Sequence, residues 1–220
     1  MHKPNRLIHA LFAPFCFTLA MWVFFTIAQA NGHGMTALGI KPHNLHSLHG
    51  VLLSVFAHAD LRHIANNSVA VLLLGTALFY FYRNIAYKVF AINWLVSGTL
   101  LWLFGRSAIH IGASGLTYGL AFFLFFSGLL RHERPLRVLS LLVVFQYGGM
   151  VWGMMPQDNN ISWDGHLLGA IGGLCLALAF RKSSLVTQPT KPAPMPGNQQ
   201  TTFTQDIDIE YLYKNNSTNN

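Results

Sequence analysis

Apolar residues run along this chain in six long stretches separated by short polar segments: residues 7–30, 64–82, 86–104, 114–130, 138–155 and 165–180. A helix that crosses a bilayer needs about 20 mostly apolar residues. Each stretch therefore predicts a spanning α-helix, and the chain reads as an all-α membrane protein with six transmembrane helices. Pro14 lies inside the first stretch, where a membrane helix tolerates a bend. That stretch is not read as a signal peptide, because it lacks a small-x-small cleavage site leading into a soluble domain and further spans follow. Two segments read differently. Residues 31–62 form a long loop containing Gly32, Gly34, Pro42 and the histidines His33, His43, His46, His49 and His58; its part from Leu45 to Phe56 is apolar enough to lie in the membrane interface. Residues 183–220 are rich in Pro, Thr, Gln and Asn and read as a disordered polar tail, leaving 1–182 as one membrane domain.

Composition supports this reading. Only 10% of the residues are charged, against 52% hydrophobic, whereas an ordinary soluble domain carries about 25% charged residues. The positive balance of +7 sorts by side rather than forming a nucleic-acid patch. With six spans, Lys3, Arg6, Arg83, Lys88, Arg131, Arg134, Arg137, Arg181, Lys182, Lys191 and Lys214 fall on one side, and Lys41, Arg62 and Arg106 on the other. The basic side is cytoplasmic, so both termini are expected there. Cys16 and Cys175 lie in apolar stretches without a CxxC partner and read as small buried hydrophobes rather than a disulfide or a zinc site.

Polar residues at membrane depth carry the chemistry. His63 and Asn67 are four apart and share one helix face; capping, interhelical packing or a pair of donors all fit that spacing. Gly112-Ala-Ser114-Gly115 stands where the fourth stretch begins. Its serine fits either a plain N-cap or a hydroxyl exposed at a helix N-terminus, whose unpaired N–H groups suit a developing anion. His166 enters the sixth stretch. Gly115 with Gly119, and Gly169 with Gly173, form small-xxx-small faces that permit close helix approach. If these faces meet, Ser114 and His166 come within hydrogen-bond reach, the arrangement an activated serine needs.

On His63-xxx-Asn67, Gly112-Ala-Ser114-Gly115 and His166-xx-Gly169-xxx-Gly173, in that order along six spans, the chain resembles the rhomboid family of intramembrane serine proteases over residues 7–180. The resemblance implies a serine endopeptidase in which Ser114 is the nucleophile and His166 the base. His63, Asn67 and the Ser114 amide would form the oxyanion hole, and Tyr118 would pack against the base histidine. Gly112 would hold the loop before the serine. It implies transmembrane protein substrates, a surrounding of membrane lipid, and no cofactor, metal or third catalytic carboxylate; Asp164 is assigned to the outer interface instead. The small size and absence of extra domains lead to the expectation of a bacterial plasma membrane, with the site opening to the extracytoplasmic side.

One departure concerns a Trp-Arg pair that many members carry in the first outer loop; here that region reads His46-Ser-Leu-His-Gly50, which leaves the loop conformation open. Two other readings compete with this one. A rhomboid-like protein that binds membrane clients without catalysis predicts loss of Ser or His from the pair, and both are present. A metal transporter or sensor, suggested by His43, His46 and His49 at three-residue spacing and by His33 and His58, needs imidazoles on one helical face, but no carboxylate or cysteine joins them, and a solvated or interfacial loop face accounts for them. The HExxH string of zinc proteases is absent.

Overall fold

The computed structural model describes residues 5–32, 34–156 and 162–184. Lys3, His33 and the tail from residue 185 onward lie outside the described residues. Seven α-helices are present among them, joined by short 3-10 turns: α1 (Arg6–Ala30), α2 (Gly50–Leu53), α3 (Leu61–Phe81), α4 (Ala86–Phe104), α5 (Ser114–Leu130), α6 (Arg134–Tyr147) and α7 (Trp163–Ala179). No strand occurs among the described residues, and the only β feature is an antiparallel bridge between Ile40 and His110. Among the described residues, four helical stretches are long and apolar enough to cross a membrane: Arg6–Ala30, Leu61–Phe81, Ala86–Phe104 and Arg134–Met154. Ser114–Leu130 and Trp163–Ala179 are apolar but shorter.

The helix ends follow local chemistry. α3 begins at Leu61, ahead of the apolar run, because Asp60 caps it: its carboxylate accepts the His63 backbone N–H at 2.8 Å. α6 stops before its apolar stretch does. At Gly148-Gly149, the residue type that most disfavours an α-helix apart from proline, the backbone tightens into a 3-10 turn over Gly148–Met154.

α5 is the central helix, and Leu116, Leu120, Phe123 and Leu124 are at most 1% exposed. It packs most extensively against α7, and here the small-residue faces do meet. A Cβ on Gly169 would lie 2.2 Å from the Gly115 carbonyl oxygen, and one on Gly173 would lie 2.0 Å from that of Gly119. Only glycine lets the two backbones approach this closely. Polar groups inside the bundle bond to backbone carbonyls: Asn93 donates to Leu116 O at 2.9 Å, and Ser140 to Phe125 O at 2.8 Å. On α1, Pro14 packs into the space left by Gly75 of α3, and Trp22 Nε1–H donates to Ser68 Oγ at 3.0 Å.

Apolar side chains also cover much of the outside, including Phe12 and Phe15 of α1 and Leu141 and Phe145 of α6. Cys16 and Cys175 belong to this outer surface, contrary to the expectation of burial. Sequence pattern does not separate inner from outer faces here, because a helix that crosses lipid is apolar on both.

Polar contacts hold the described part of the loop between α1 and α3, both within it and to α4. Trp102 Nε1–H of α4 donates to Asn44 O at 3.0 Å, Ser47 Oγ–H to Lys41 O at 2.7 Å, and the Asn44 side chain accepts from His46 N–H at 2.9 Å. The loop histidines do not share a helical face. His43 sits in a left-handed turn (φ 62°) and bonds Leu103 O at 2.8 Å, whereas His49 bonds Ala37 O at 2.8 Å. Leu45, Leu48 and Leu52 are exposed.

Candidate active site

Ser114 is the first residue of α5, and Ala113 holds the N-cap position without a side-chain hydrogen bond. The serine hydroxyl is therefore not spent on capping. It lies 2.9 Å from His166 Nε2. The other ring nitrogen, Nδ1, is 2.9 Å from Gly153 O. A carbonyl only accepts, so Nδ1 carries the proton, and Nε2 is left with its lone pair facing the Ser114 O–H. The Tyr118 ring stacks on the His166 imidazole, with centroids 4.2 Å apart and planes 7° from parallel. The Tyr118 hydroxyl donates to Met150 O at 2.9 Å.

Both anchoring carbonyls come from the 3-10 turn after α6. The sequence gives no warning of these partners, since any residue supplies a carbonyl. The one legible trace is Gly153: a Cβ there would lie 2.0 Å from the Tyr118 hydroxyl.

Two residues before Ser114, Gly112 has φ +106°, a conformation that favours glycine. The place its Cβ would take is occupied by His63 Nε2 at 2.5 Å, with Asn67 Nδ2 at 3.5 Å from it. His63 and Asn67, one turn apart on α3, thus converge beside the backbone that leads into the serine. The Ala59 backbone N–H donates to His63 Nδ1 at 3.5 Å, which leaves Nε2 as the protonated, donating nitrogen. Asn67 is buried, and its Nδ2 finds no hydrogen-bond partner among the described residues. A small cavity of about 20 Å³ adjoins Ser114 and is bordered by Ser54, Ser97 and Ser162; a cavity of roughly 10–15 Å³ already holds one water.

Asp164 is not part of an Asp–His–Ser relay: its carboxylate meets Arg106 and His110 rather than His166. It is 5% exposed. His58, in the loop before α3, is 1% exposed, and its ring meets that of His63 edge to face at 4.9 Å. Burial, reinforced by His63, pushes its pKa down to about 4. His58 is therefore neutral near pH 7.

These features define a helical integral membrane protein with a hydrogen-bonded serine–histidine pair and two convergent donors. Residues 45–183 match the Rhomboid domain family. The chain is 33% identical over 170 residues to an uncharacterized protein of Mycobacterium tuberculosis, covering 73% of this chain and 71% of that one. It is 30% identical over 187 residues to an uncharacterized protein of Mycobacterium leprae, covering 80% and 74%. It is also 30% identical over 134 residues to rhomboid-related protein 1 of Caenorhabditis elegans, covering 54% of this chain and 36% of that protein. The chain belongs to the rhomboid family.

Proposed function

We propose that this protein is an intramembrane serine endopeptidase that hydrolyses peptide bonds in or near the transmembrane segments of other membrane proteins. The observation that carries the reading is the 2.9 Å contact between Ser114 Oγ and His166 Nε2, with Nδ1 committed to Gly153 O. In this reading α1, α3, α4, α5, α6 with its 3-10 continuation, and α7 all cross a bacterial plasma membrane. The termini are cytoplasmic and the site opens to the extracytoplasmic side. Residues 1–182 are the protease domain and 183–220 a cytoplasmic tail.

The steps follow from the geometry. His166 Nε2 takes the Ser114 proton as Oγ bonds to the scissile carbonyl carbon. The carbonyl oxygen becomes an oxyanion, held by His63 Nε2–H, Asn67 Nδ2–H and the Ser114 backbone N–H, which as the first helical amide has no intrahelical partner. The C–N bond breaks as His166 returns the proton to the leaving amine. Water then attacks the acyl-enzyme, His166 takes its proton, and Ser114 leaves re-protonated. Tyr118 limits ring rotation of the base, and Gly112 keeps the donor site open. The chemistry calls for no cofactor.

Purified full-length protein is expected to take up a fluorophosphonate label at Ser114 and to cut a single-span model substrate, and Ser114→Ala should abolish both. Cleavage by Ser114→Ala at the wild-type rate sinks the proposal. A folded wild-type protein that neither labels nor cuts points instead to a client-binding relative without catalysis.

A further inference from the structure

Asp164 stands two residues before His166 in the first turn of α7, and its carboxylate reaches away from the base toward the loop that leads into α5. Its Oδ2 accepts the Arg106 backbone N–H at 2.8 Å, and Oδ1 lies 3.6 Å from Arg106 Nε. His110, 4% exposed, joins the same carboxylate, with Nε2 3.6 Å from Oδ2. That nitrogen also lies 3.1 Å from Arg106 O, which can only accept, so Nε2 carries the proton and Nδ1 accepts the Ser162 hydroxyl at 2.7 Å.

The cluster connects through the backbone to the segments that carry both proposed reacting groups. The His110 backbone is bridged to Ile40 in both directions, at 2.9 and 2.8 Å. Two residues later comes Gly112, beside His63 and Asn67, and two after that Ser114. On the other side, Ser162 O accepts the His166 backbone N–H at 3.0 Å. A buried carboxylate is costly unless donors surround it, and the donors here come from the loop that carries the nucleophile.

We propose that Asp164 is a positioning residue. With His110 and Ser162 it clasps the loop of residues 106–113 to the start of α7, and so sets the spacing between Ser114 Oγ and His166 Nε2. It does so without touching the imidazole, unlike the carboxylate of a triad. This rests on the reading of Ser114 and His166 as the reacting pair.

The test uses full-length protein in detergent micelles with Asp164→Ala, Asp164→Asn and Ser114→Ala. Because misplacement by about 1 Å costs up to roughly 100-fold, Asp164→Ala should slow fluorophosphonate labelling at Ser114 by about 10- to 100-fold per folded molecule. KM for a single-span substrate should stay within about twofold, because binding is untouched. Asp164→Asn keeps an oxygen for the Arg106 N–H and should recover most of the rate. Amide hydrogen exchange across residues 106–113 should rise in Asp164→Ala. Wild-type labelling per folded Asp164→Ala molecule overturns the proposal. So does an Asp164→Asn variant as slow as Asp164→Ala, or a loss confined to KM. If Asp164→Ala does not fold, Ser162→Ala removes the other arm of the clasp, and the same slowing at unchanged KM is required of it. Labelling or cleavage by Ser114→Ala breaks the underlying dyad reading, whereas the exchange comparison reports on the clasp without catalysis.

Discussion

Asn67 holds a buried amide whose Nδ2 has no partner among the described residues, one turn from a histidine whose Nε2 faces the same backbone. A buried unsatisfied donor costs about 1–3 kcal/mol, a cost that the proposed mechanism offsets by letting a substrate oxyanion complete the bond. Replacing His63 or Asn67 by Ala is accordingly expected to lower kcat by about 10²–10³-fold, with the melting temperature in detergent nearly unchanged. A large loss of stability with activity per folded molecule intact would instead assign both residues to packing. His58 leads to a pH prediction. Its pKa in the fold is about 4 against an ordinary 6.5, so between these values the unfolded chain binds the extra proton. The contribution of neutral His58 is complete above pH 6.5 and lessens by up to about 3 kcal/mol as pH falls toward 4. Thermal unfolding in detergent at pH 7 and pH 5 should show the fall, and His58→Phe should reduce it. At this scale the sequence was informative wherever a polar side chain interrupted an apolar run: Ser114, His166, His63 and Asn67 are legible for that reason. Met150 and Gly153 were not, because they act through carbonyls that every residue has.

At the scale of elements, the boundaries at Ala86–Phe104 and Ser114–Leu130 coincide with the apolar runs. The departures have local causes, an Asp60 cap that starts α3 early and a Gly148-Gly149 pair that ends α6 early. The second matters for the site, since the 3-10 turn supplies the carbonyls that hold Tyr118 and His166. Gly148→Ala with Gly149→Ala removes about 1 kcal/mol of helix penalty per residue and meets no steric obstacle closer than 3.7 Å. The double variant should remain at least as stable yet lose kcat, because a continuing α-helix redirects Met150 O and Gly153 O. Unaltered kcat with a demonstrably longer helix would contradict this. The α5–α7 contact gives an opposite expectation. A side chain at Gly173 collides with the Gly119 carbonyl at 2.0 Å, so Gly173→Val should destabilise by at least about 1–3 kcal/mol and abolish labelling. Gly34→Ala, whose nearest neighbour is 3.9 Å away, should leave the melting temperature unchanged.

For the whole molecule, the distribution of Lys and Arg leads to a topology that labelling can check. In a background lacking Cys16 and Cys175, Ser107→Cys, an exposed position, should react with an impermeant maleimide from the extracytoplasmic side of intact cells. Arg83→Cys, also exposed, should react only after permeabilisation. Reaction of both from one side would end the six-span reading. The sequence by itself determined the helical class, the approximate apolar helices and the small set of polar residues that interrupt them, because lipid leaves so few alternatives for a backbone and for a charged or polar side chain. Tertiary structure decided the rest. It brought the Gly115–Gly119 and Gly169–Gly173 faces together and so placed residues 114 and 166 at 2.9 Å. It turned Asp164 toward the loop before Ser114 instead of toward His166, and it put both cysteines on the outer surface. None of this is written in periodicity, because an apolar helix in an apolar solvent has no hydrophobic face to announce its partner. Close packing and the satisfaction of a few buried polar groups made the choice.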